Sequence, residues 1–217
     1  MVNFRRPASK KGISWYFRQR RMKKFFQFIA KIDKETVNIL DLGGTVFFWE
    51  RLGVADQKKF QIIVLNLESQ PTDHTNIQSV TGDVTDFNTF PKIEFDIIFS
   101  NSVIEHLFSY DNQKKMASNI MKTAELFFVQ TPNYYFPIEP HFVFPFFQYF
   151  PNNIKMYLVQ HFSLGNYSKL THENAQISID EIKLLKTKQM KELFPTSRIV
   201  FEKFLFFNKS IIAQNLY

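Results

Sequence analysis

Short apolar runs alternate with amphipathic segments along the middle of this chain. Five runs are predicted as strands, and each ends where polar or small residues begin: 37–41, 60–67, 77–81, 95–100 and 124–130. Helices are predicted at 47–53, at 111–122 with Asp111 as the cap, and at 178–193. Near-continuous apolar strands separated by helices are typical of a parallel sheet with both faces covered. The pattern therefore predicts an α/β domain.

The two ends of the chain depart from this alternation. Residues 1–13 are predicted to be disordered, and residues 14–32 fit an amphipathic helix with a basic face. Such a helix most often packs its apolar face on the domain, and a membrane surface is the alternative. Near the C-terminus, 198–207 and 209–213 are predicted as two closing strands joined tightly at Asn208. The parallel sheet should therefore end in an antiparallel hairpin.

Residues 131–176 interrupt the alternation with many prolines and aromatic residues. We expect this insertion to form a lid over the edge of the sheet where the parallel strands end. Long loops in compact domains are usually functional, and prolines stiffen aromatic side chains into an apolar wall. The alternative is ordinary packing, because Phe is by default a core residue.

The first predicted strand ends in Asp41, and Gly43 and Gly44 follow it after Leu42. Without side chains, the two glycines would let backbone N–H groups approach a ligand, and positive φ costs little there. The pattern predicts a nucleotide-like cofactor at the end of the strand, whereas a plain turn is the simpler reading. A dinucleotide oxidoreductase is disfavoured, since no Gly-x-Gly-x-x-Gly follows the strand.

The net charge of +7 is concentrated at the N-terminus. Residues 1–24 hold nine Lys or Arg and no acid, whereas the rest of the chain holds 18 basic and 20 acidic residues. We therefore divide the chain into a basic arm with its helix, 1–34, and a domain, 35–217. The arm suits an anionic membrane, an acidic partner or nucleic acid, or it is a solvated segment.

The absence of cysteine excludes disulfides, thiolate nucleophiles and zinc bound by cysteine. No apolar run reaches the length of a membrane span, and the basic N-terminus lacks the apolar segment of a signal peptide. We expect a soluble, cytoplasmic protein.

Several motifs together resemble the class I S-adenosylmethionine-dependent methyltransferases over roughly residues 35–215. They occur in the order Asp41-Leu42-Gly43-Gly44-Thr45, Asn66, Gly82-Asp83 and 95–107, and Phe128–Asn133 follows them. The resemblance implies a Rossmann-like, mostly parallel seven-stranded sheet with a C-terminal antiparallel hairpin and helices on both faces. It also implies S-adenosylmethionine as the cofactor.

The resemblance implies a set of cofactor contacts at the strand ends: Asp41, Gly43, Gly44, Thr45, Asn66, Glu68, Asp83, Val84, Ser100 and Asn101. Asp41 would accept from the ammonium group and Asp83 from the adenine amino group, while Ser100 and Asn101 would lie beside the methionine moiety. Two departures stand out. Thr45 and Phe47 replace the usual glycines, and Asn66 replaces the usual acid that holds the ribose, a role Glu68 would share.

Methyl transfer mainly needs alignment, with a general base when the acceptor is a hydroxyl. The candidate catalytic residues are Glu105 and His106, after the fourth strand, and His141 in the lid. Hydrogen bonds to loop backbone are an equally simple role for them.

Some family members that methylate RNA ends or quinone precursors bind a divalent ion with Glu-x-x-Glu-His, but here Ser102 replaces the first Glu. His141 and Glu139 would complete such a site only if the lid folds over, so no metal is predicted.

The function expected from these features is methyl transfer to an O or N nucleophile of a small-molecule or lipid-like acceptor under the lid. An RNA methyltransferase is less favoured, since no basic stripe crosses the expected active face. A non-catalytic module that binds a partner or membrane through residues 1–32 is the third alternative. The sequence carries no signal for an oligomeric state.

Overall fold

A seven-stranded sheet organises residues 13–215, which are the residues that this computed structural model describes. Its strands are β1 (Val37–Leu42), β2 (Phe60–Asn66), β3 (Ile77–Thr81), β4 (Ile97–Asn101), β5 (Leu126–Pro132), β8 (Arg198–Phe204) and β9 (Phe207–Gln214). Two short strands, β6 (Ile138–Glu139) and β7 (Phe144–Pro145), pair separately. The order across the large sheet is β3-β2-β1-β4-β5-β9-β8.

Strands β1 to β5 are parallel to one another, and β9 runs in the opposite direction between β5 and β8. β1 pairs with β2 and β4, β3 pairs with β2, and β5 pairs with β4, all in parallel. β9 runs antiparallel to both β5 and β8. The predicted α/β architecture, with seven strands and a C-terminal hairpin, is confirmed. The strands β1 to β5 end together at one side of the sheet, which we name the carboxyl edge.

Helices cover both faces of the sheet, as predicted. They are α1 (Ile13–Ile29), α2 (Val46–Arg51), α3 (Tyr110–Thr123), α4 (Asn152–His161), α5 (His172–Glu181) and α6 (Thr187–Leu193). α1 and α2 pack on one face around Phe25, Trp49 and Phe99, whereas α3 and α6 pack on the other around Met116 and Phe127. None of these described helices is both long and apolar enough to span a membrane.

α1 confirms the predicted amphipathic helix and buries its apolar face against the sheet. The ring of Phe25 lies 4.8 Å from that of Phe99 and 5.4 Å from that of Phe128, centroid to centroid. Arg21 is buried as well, although the sequence placed it in a solvated basic face. The predicted disorder of residues 1–13 concerns residues outside the described range, apart from Ile13, which begins α1.

Three local predictions were wrong. The helix predicted at 178–193 is two helices, because residues 182–186 are extended and Leu185 is buried in a bridge to Asn133. α3 is capped by Ser109 and not by Asp111, since Ser109 is extended and its hydroxyl accepts from the Asn112 amide. The closing strands turn at residues 205–206, with Leu205 at φ +53°, and not at Asn208, which lies in β9.

The lid forms a small apolar core of its own. Phe142 packs against Phe147 and stacks on Tyr167, with ring centroids 4.3 and 4.9 Å apart. Ala175 and Ile179 of α5 belong to the same core, so the insertion continues past the predicted end at residue 176. We therefore define the lid as residues 133–181. A segment with its own core can hold side chains at fixed positions over the carboxyl edge.

Candidate active site

The loop after β1 presses Gly43 against the segment that follows β4. Gly43 has φ +73°, and a Cβ added there would lie 2.5 Å from Cγ1 of Val103. Both the backbone conformation and the close approach require glycine at this position. We name Gly43, Gly44 and Thr45 the glycine loop, and this loop is thus in direct contact with the segment that carries Glu105 and His106.

Gly44 has no side chain because the Asp41 carboxylate occupies the space beside it. A Cβ on Gly44 would lie 1.8 Å from Oδ2 of Asp41. Asp41 is buried and accepts a hydrogen bond from Nε1 of Trp49 at 2.7 Å. Burial raises the pKa of Asp41 to about 7, although the bond from Trp49 opposes the shift. The other oxygen, Oδ1, is buried and has no hydrogen-bond partner among the described residues, so the contact of this carboxylate with the cofactor ammonium stays a prediction.

The start of α2 is capped by two side chains. The hydroxyl of Thr45 accepts from the Phe48 amide at 3.2 Å, and Oε1 of Gln70 accepts from the Val46 amide at 3.0 Å. Thr45, which replaces a family glycine, therefore has a structural role as N-cap. Phe47, the other replacement, is exposed and leaves the loop interior free of its ring.

The predicted ribose and adenine side chains lie at the ends of β2 and β3. Nδ2 of Asn66 donates to the Gly44 carbonyl at 2.8 Å, so Asn66 fixes the glycine loop. Glu68 is exposed, and Oδ1 of Asp83 accepts from both the amide and the hydroxyl of Thr85 at 2.8 Å. Val84 is buried in the hydrophobic core, so its side chain supports the site by packing beneath the surface.

Arg21 reaches from α1 to the ends of β4 and β5. Its Nη1 donates to the side-chain oxygens of Asn101 and Gln130, and its Nη2 pairs with Glu202 of β8 at 2.8 Å. Ser100, next to Asn101, is buried and donates to the Leu42 carbonyl at 3.1 Å. Arg21 was missed from the sequence, because nothing distinguishes one arginine within a basic helix.

The three predicted catalytic residues meet in one cluster, in which Glu105 and His106 are buried and His141 is partly exposed. Glu105 and His106 lie in a short turn after β4, and His141 reaches them from the lid. Nε2 of His141 is 3.9 Å from Oε1 of Glu105, and the two imidazole rings lie edge to face with centroids 4.7 Å apart. We name Glu105, His106 and His141 the His–Glu cluster.

Each histidine of the cluster is oriented by a second carboxylate. Nδ1 of His106 lies 2.8 Å from Oε1 of Glu181, and Nδ1 of His141 lies 2.6 Å from Oε1 of Glu139. The hydroxyl of Thr131 donates to Oε2 of Glu105 at 3.0 Å. In the sequence, Thr131 stood out only as a member of the motif Phe128–Asn133. It gave no sign of Glu181, which was predicted to lie inside a long helix.

A cavity of about 400 Å³ lies between the lid and the start of α3. We name it the lid cavity, and its lining includes Phe108, Tyr134, Glu139, Phe142, Phe147, Gln148 and Lys155. Glu139 links the cavity to the His–Glu cluster through its bond to His141. Burial lowers the pKa of Lys155, and the nearby Lys183 adds to the effect.

Solved structures share this architecture at low sequence identity. The carbon methyltransferase CurJ superposes with a TM-score of 0.60 and 12% identity, over 96% of this chain and 56% of its own, so the chain spans little more than half of CurJ. The magnesium protoporphyrin IX methyltransferase of Synechocystis, with bound S-adenosylhomocysteine, gives 0.56 and 10% over 95% and 88%. The N-methyltransferase NodS of Bradyrhizobium japonicum, also with S-adenosylhomocysteine, gives 0.53 and 11% over 91% and 86%. The chain has the methyltransferase fold. Neither a protein-family model nor a curated protein sequence matches it.

Within this methyltransferase fold, the predicted cofactor residues lie at the carboxyl edge along β1, β2, β3 and β4. Most of their side chains are engaged inside the protein: Asp41 with Trp49, Asn66 with Gly44, and Asn101 with Arg21. A cofactor on this edge would therefore be met largely by backbone of the glycine loop. The cofactor contacts assigned to these side chains stay predictions.

The His–Glu cluster also has the composition of a metal site. One ligand atom from each of its three residues lies within 4.8 Å of the others. Two imidazoles and a carboxylate suit a divalent transition metal, and outer carboxylates on the far ring nitrogens orient histidine ligands. The prediction of no metal assumed that the lid would not supply ligands. The folded lid does supply His141, so that assumption does not hold.

Proposed function

We propose that the protein transfers a methyl group from S-adenosylmethionine to an O or N nucleophile of a small-molecule or lipid-like acceptor in the lid cavity. The observation that carries the proposal is the position of the His–Glu cluster. It contacts the lid cavity through Glu139 and adjoins the glycine loop through Val103. An acceptor and a methyl donor would thus meet beside a proton acceptor. The S-adenosylhomocysteine in two structures of the same fold supports the donor.

The reaction is an in-line displacement on the methyl carbon. A lone pair of the acceptor O or N forms the new bond to carbon, while the carbon–sulfur bond breaks and the sulfonium becomes a neutral thioether. The acceptor proton passes to an imidazole of His106 or His141. Glu105, Glu139 and Glu181 stabilise the imidazolium and keep its ring oriented.

The amide of Gln148 supports an acceptor that donates a hydrogen bond. Its nitrogen donates to the carbonyls of Tyr134 and Phe136 at 2.9 and 2.8 Å, which fixes the orientation of the amide. Its oxygen is buried and has no hydrogen-bond partner among the described residues. A hydroxyl or amine in the lid cavity would satisfy this oxygen.

Two of the other readings make different predictions. The limited size of the lid cavity suits a small molecule better than a polymer, which disfavours RNA as the acceptor. The internal hydrogen bonds of Asn66 and Asn101 favour a non-catalytic module, because they occupy groups that would hold a cofactor. Binding of S-adenosylhomocysteine separates that module from an enzyme.

The experiment is an assay for S-adenosylhomocysteine formation with panels of hydroxyl and amine compounds, short lipids and RNA oligonucleotides. The proposal expects turnover with a small-molecule or lipid acceptor, and loss of that turnover in His141→Asn but not in His161→Asn. His161 is a matched control, since it is an exposed lid histidine that stacks on Tyr157. Turnover confined to RNA would contradict the proposed acceptor class.

A second candidate concerns the role of the His–Glu cluster itself. The two oriented imidazoles beside Glu105 favour a divalent ion that would position the acceptor oxygen. Metal analysis of the purified protein, followed by titration of Zn²⁺ and Mn²⁺, tests it. Tight one-to-one binding that His141→Asn weakens about tenfold or more, with His161→Asn unchanged, is expected. Activity that survives complete removal of metal by a chelator would exclude the metal-binding role, and general-base catalysis would be the one role left for the cluster.

A further inference from the structure

The turn between β8 and β9 presents three consecutive large apolar side chains to solvent. Leu205 is 75% exposed, Phe206 is 96% exposed and Phe207 is 51% exposed. Leu205 also has φ +53°, a conformation that side chains with a Cβ rarely adopt. We name residues 205–207 the hairpin tip. An exposed apolar turn of this kind marks a site of interaction with a membrane or with another protein.

The hairpin tip is anchored at the carboxyl edge of the sheet. β8 runs parallel to β5, since both are antiparallel to β9, so the turn after β8 lies at the edge where the active site is formed. Phe204, at the base of the tip, packs against Phe17 of α1 and Phe136 of the lid segment, with ring centroids 5.6 and 6.2 Å apart. The tip is therefore held in place by α1 and by the lid.

A further exposed aromatic ring extends this surface. Tyr16 of α1 is 61% exposed, and its ring contacts that of Phe17 with centroids 5.5 Å apart. The exposed apolar side chains of the hairpin tip and of α1 are thus joined through the packed pair of Phe17 and Phe204. A turn whose side chains are as exposed as Phe206, at 96%, suits insertion into a soft apolar layer better than docking into a rigid pocket.

Cations surround the base of the tip. Lys203 is exposed two residues before Leu205, and Nζ of Lys209 lies 4.5 Å from the ring centroid of Phe17. Arg20 and Lys24 of α1 line a groove together with Lys203. The one carboxylate in that groove lining, Glu202, is already paired with Arg21 and Lys209. The lining of this groove, which runs from Lys203 along the hairpin to Arg198, is therefore predominantly positive.

We propose that the hairpin tip docks this protein on an anionic phospholipid bilayer. Leu205 and Phe206 enter the boundary between headgroups and acyl chains, while Lys203 and Arg20 meet lipid phosphates. Aromatic and aliphatic side chains next to cations are the combination that holds peripheral proteins on such surfaces. Docking would turn the carboxyl edge, and with it the lid, toward the lipid. This inference does not depend on methyl transfer, because it is tested by binding alone.

The test is co-sedimentation of the full chain with vesicles of phosphatidylcholine alone or mixed with phosphatidylglycerol. Binding is expected with the anionic vesicles, and Phe206→Asp should weaken it about tenfold or more. Ile93→Asp is the matched control, since Ile93 is 55% exposed and lies before β4, at the opposite edge of the sheet. The fluorescence of the Phe206→Trp variant should shift to the blue when anionic vesicles are added. Added salt should weaken binding, because it screens the attraction between the basic side chains and the lipid phosphates.

Several outcomes would overturn the proposal. Vesicle binding that Phe206→Asp leaves unchanged would remove the tip from the interaction. No vesicle binding by the wild type, together with a dimer in light scattering that Phe206→Asp converts to a monomer, would identify the tip as a contact between two copies. No vesicle binding, together with Phe206-dependent binding of RNA in a filter assay, would identify nucleic acid as the occupant.

Discussion

The imidazole of His141 on the lid lies edge to face against the imidazole of His106 after β4, with ring centroids 4.7 Å apart. The residues are far apart in sequence, and they meet only because the lid packs on the carboxyl edge. A backbone hydrogen bond connects the same regions: the amide N–H of Lys183, just past α5, donates to the Glu105 carbonyl at 2.7 Å. The His–Glu cluster therefore forms only while the lid packs on the carboxyl edge, and moving the lid away would separate His141 from Glu105 and His106.

Replacing His106 or His141 by Asn should lower turnover about 100-fold or more, since general-base catalysis typically contributes that much. The affinity for S-adenosylhomocysteine should change little, because neither histidine belongs to the glycine loop. Steady-state kinetics and calorimetric titration measure the two effects separately. His161→Asn should behave like wild type. A parallel fall in turnover and cofactor affinity for both variants would point to a structural role for the cluster.

Gly43→Ala should destabilise the protein more than Gly53→Ala. Both glycines have nearly equal positive φ, +73° and +72°, so both variants lose about 1–2 kcal/mol through backbone strain. Only Gly43 has a close neighbour, Val103, whereas an added Cβ on Gly53 meets nothing within 4 Å. Urea unfolding of both variants isolates the clash with Val103.

The double variant Gly43→Ala with Val103→Ala sharpens this comparison. Removing the two γ-carbons leaves Val103 Cβ as the nearest atom, 3.2 Å from the new methyl group, so most of the clash should disappear. Stability should then recover beyond the sum of the single effects. Strict additivity of the two substitutions would show that the loop does not press on Val103.

Asp41→Asn should make the protein more stable at pH 8 and should change the dependence of stability on pH. Burial raises the pKa of Asp41 from 3.8 in the unfolded chain to about 7, so between these values the native state holds a proton that the unfolded state lacks. Wild-type stability should therefore be highest at low pH, as far as Asp41 contributes, and fall as pH rises toward 7. Asn removes this loss and still offers an oxygen to Trp49.

The measurement is urea unfolding of wild type and Asp41→Asn at pH 5 and pH 8. The variant should gain about 2–3 kcal/mol relative to wild type between these pH values. All other titrating groups are shared, so the difference isolates Asp41. A difference between the proteins that is the same at both pH values would mean that Asp41 is ionised throughout.

Arg21→Met should lower the free energy of unfolding by about 3 kcal/mol, because Glu202 would lose its main buried partner. Asn101 and Gln130 would lose the same donor. Arg21→Met combined with Glu202→Gln should recover part of the loss, as expected for a coupled pair. Arg20→Met, an exposed neighbour on α1, should cost little by the same chemical denaturation.

The strands and their topology could be predicted from the sequence because the sheet buries both faces. Runs such as 62–65 are apolar at every position, and Asp41 and Gly43 mark where a strand gives way to a loop. The break between α5 and α6 could not be predicted, because the helical pattern continues through 182–186. There, burial of Leu185 overrides local propensity.

The candidate site was only partly predictable. Glu105 and His106 follow a strand and were visible from that position, and His141 was visible from its place among prolines and aromatics. Glu181 and Arg21 were not, since their roles depend on long-range packing that leaves no periodic signal. The orientation of the Asp41 carboxylate could not be predicted either, because it depends on the hydrogen bond from Trp49 in the next helix.

The central claim is that the glycine loop of this fold binds S-adenosylmethionine. The most direct measurement is isothermal titration calorimetry of S-adenosylhomocysteine into the full chain, with circular dichroism to show that the protein is folded. We expect saturable one-to-one binding that Gly43→Ala weakens and Gly53→Ala does not. A folded wild-type protein that gives no heat of binding at millimolar ligand, and no rise in melting temperature, would contradict it.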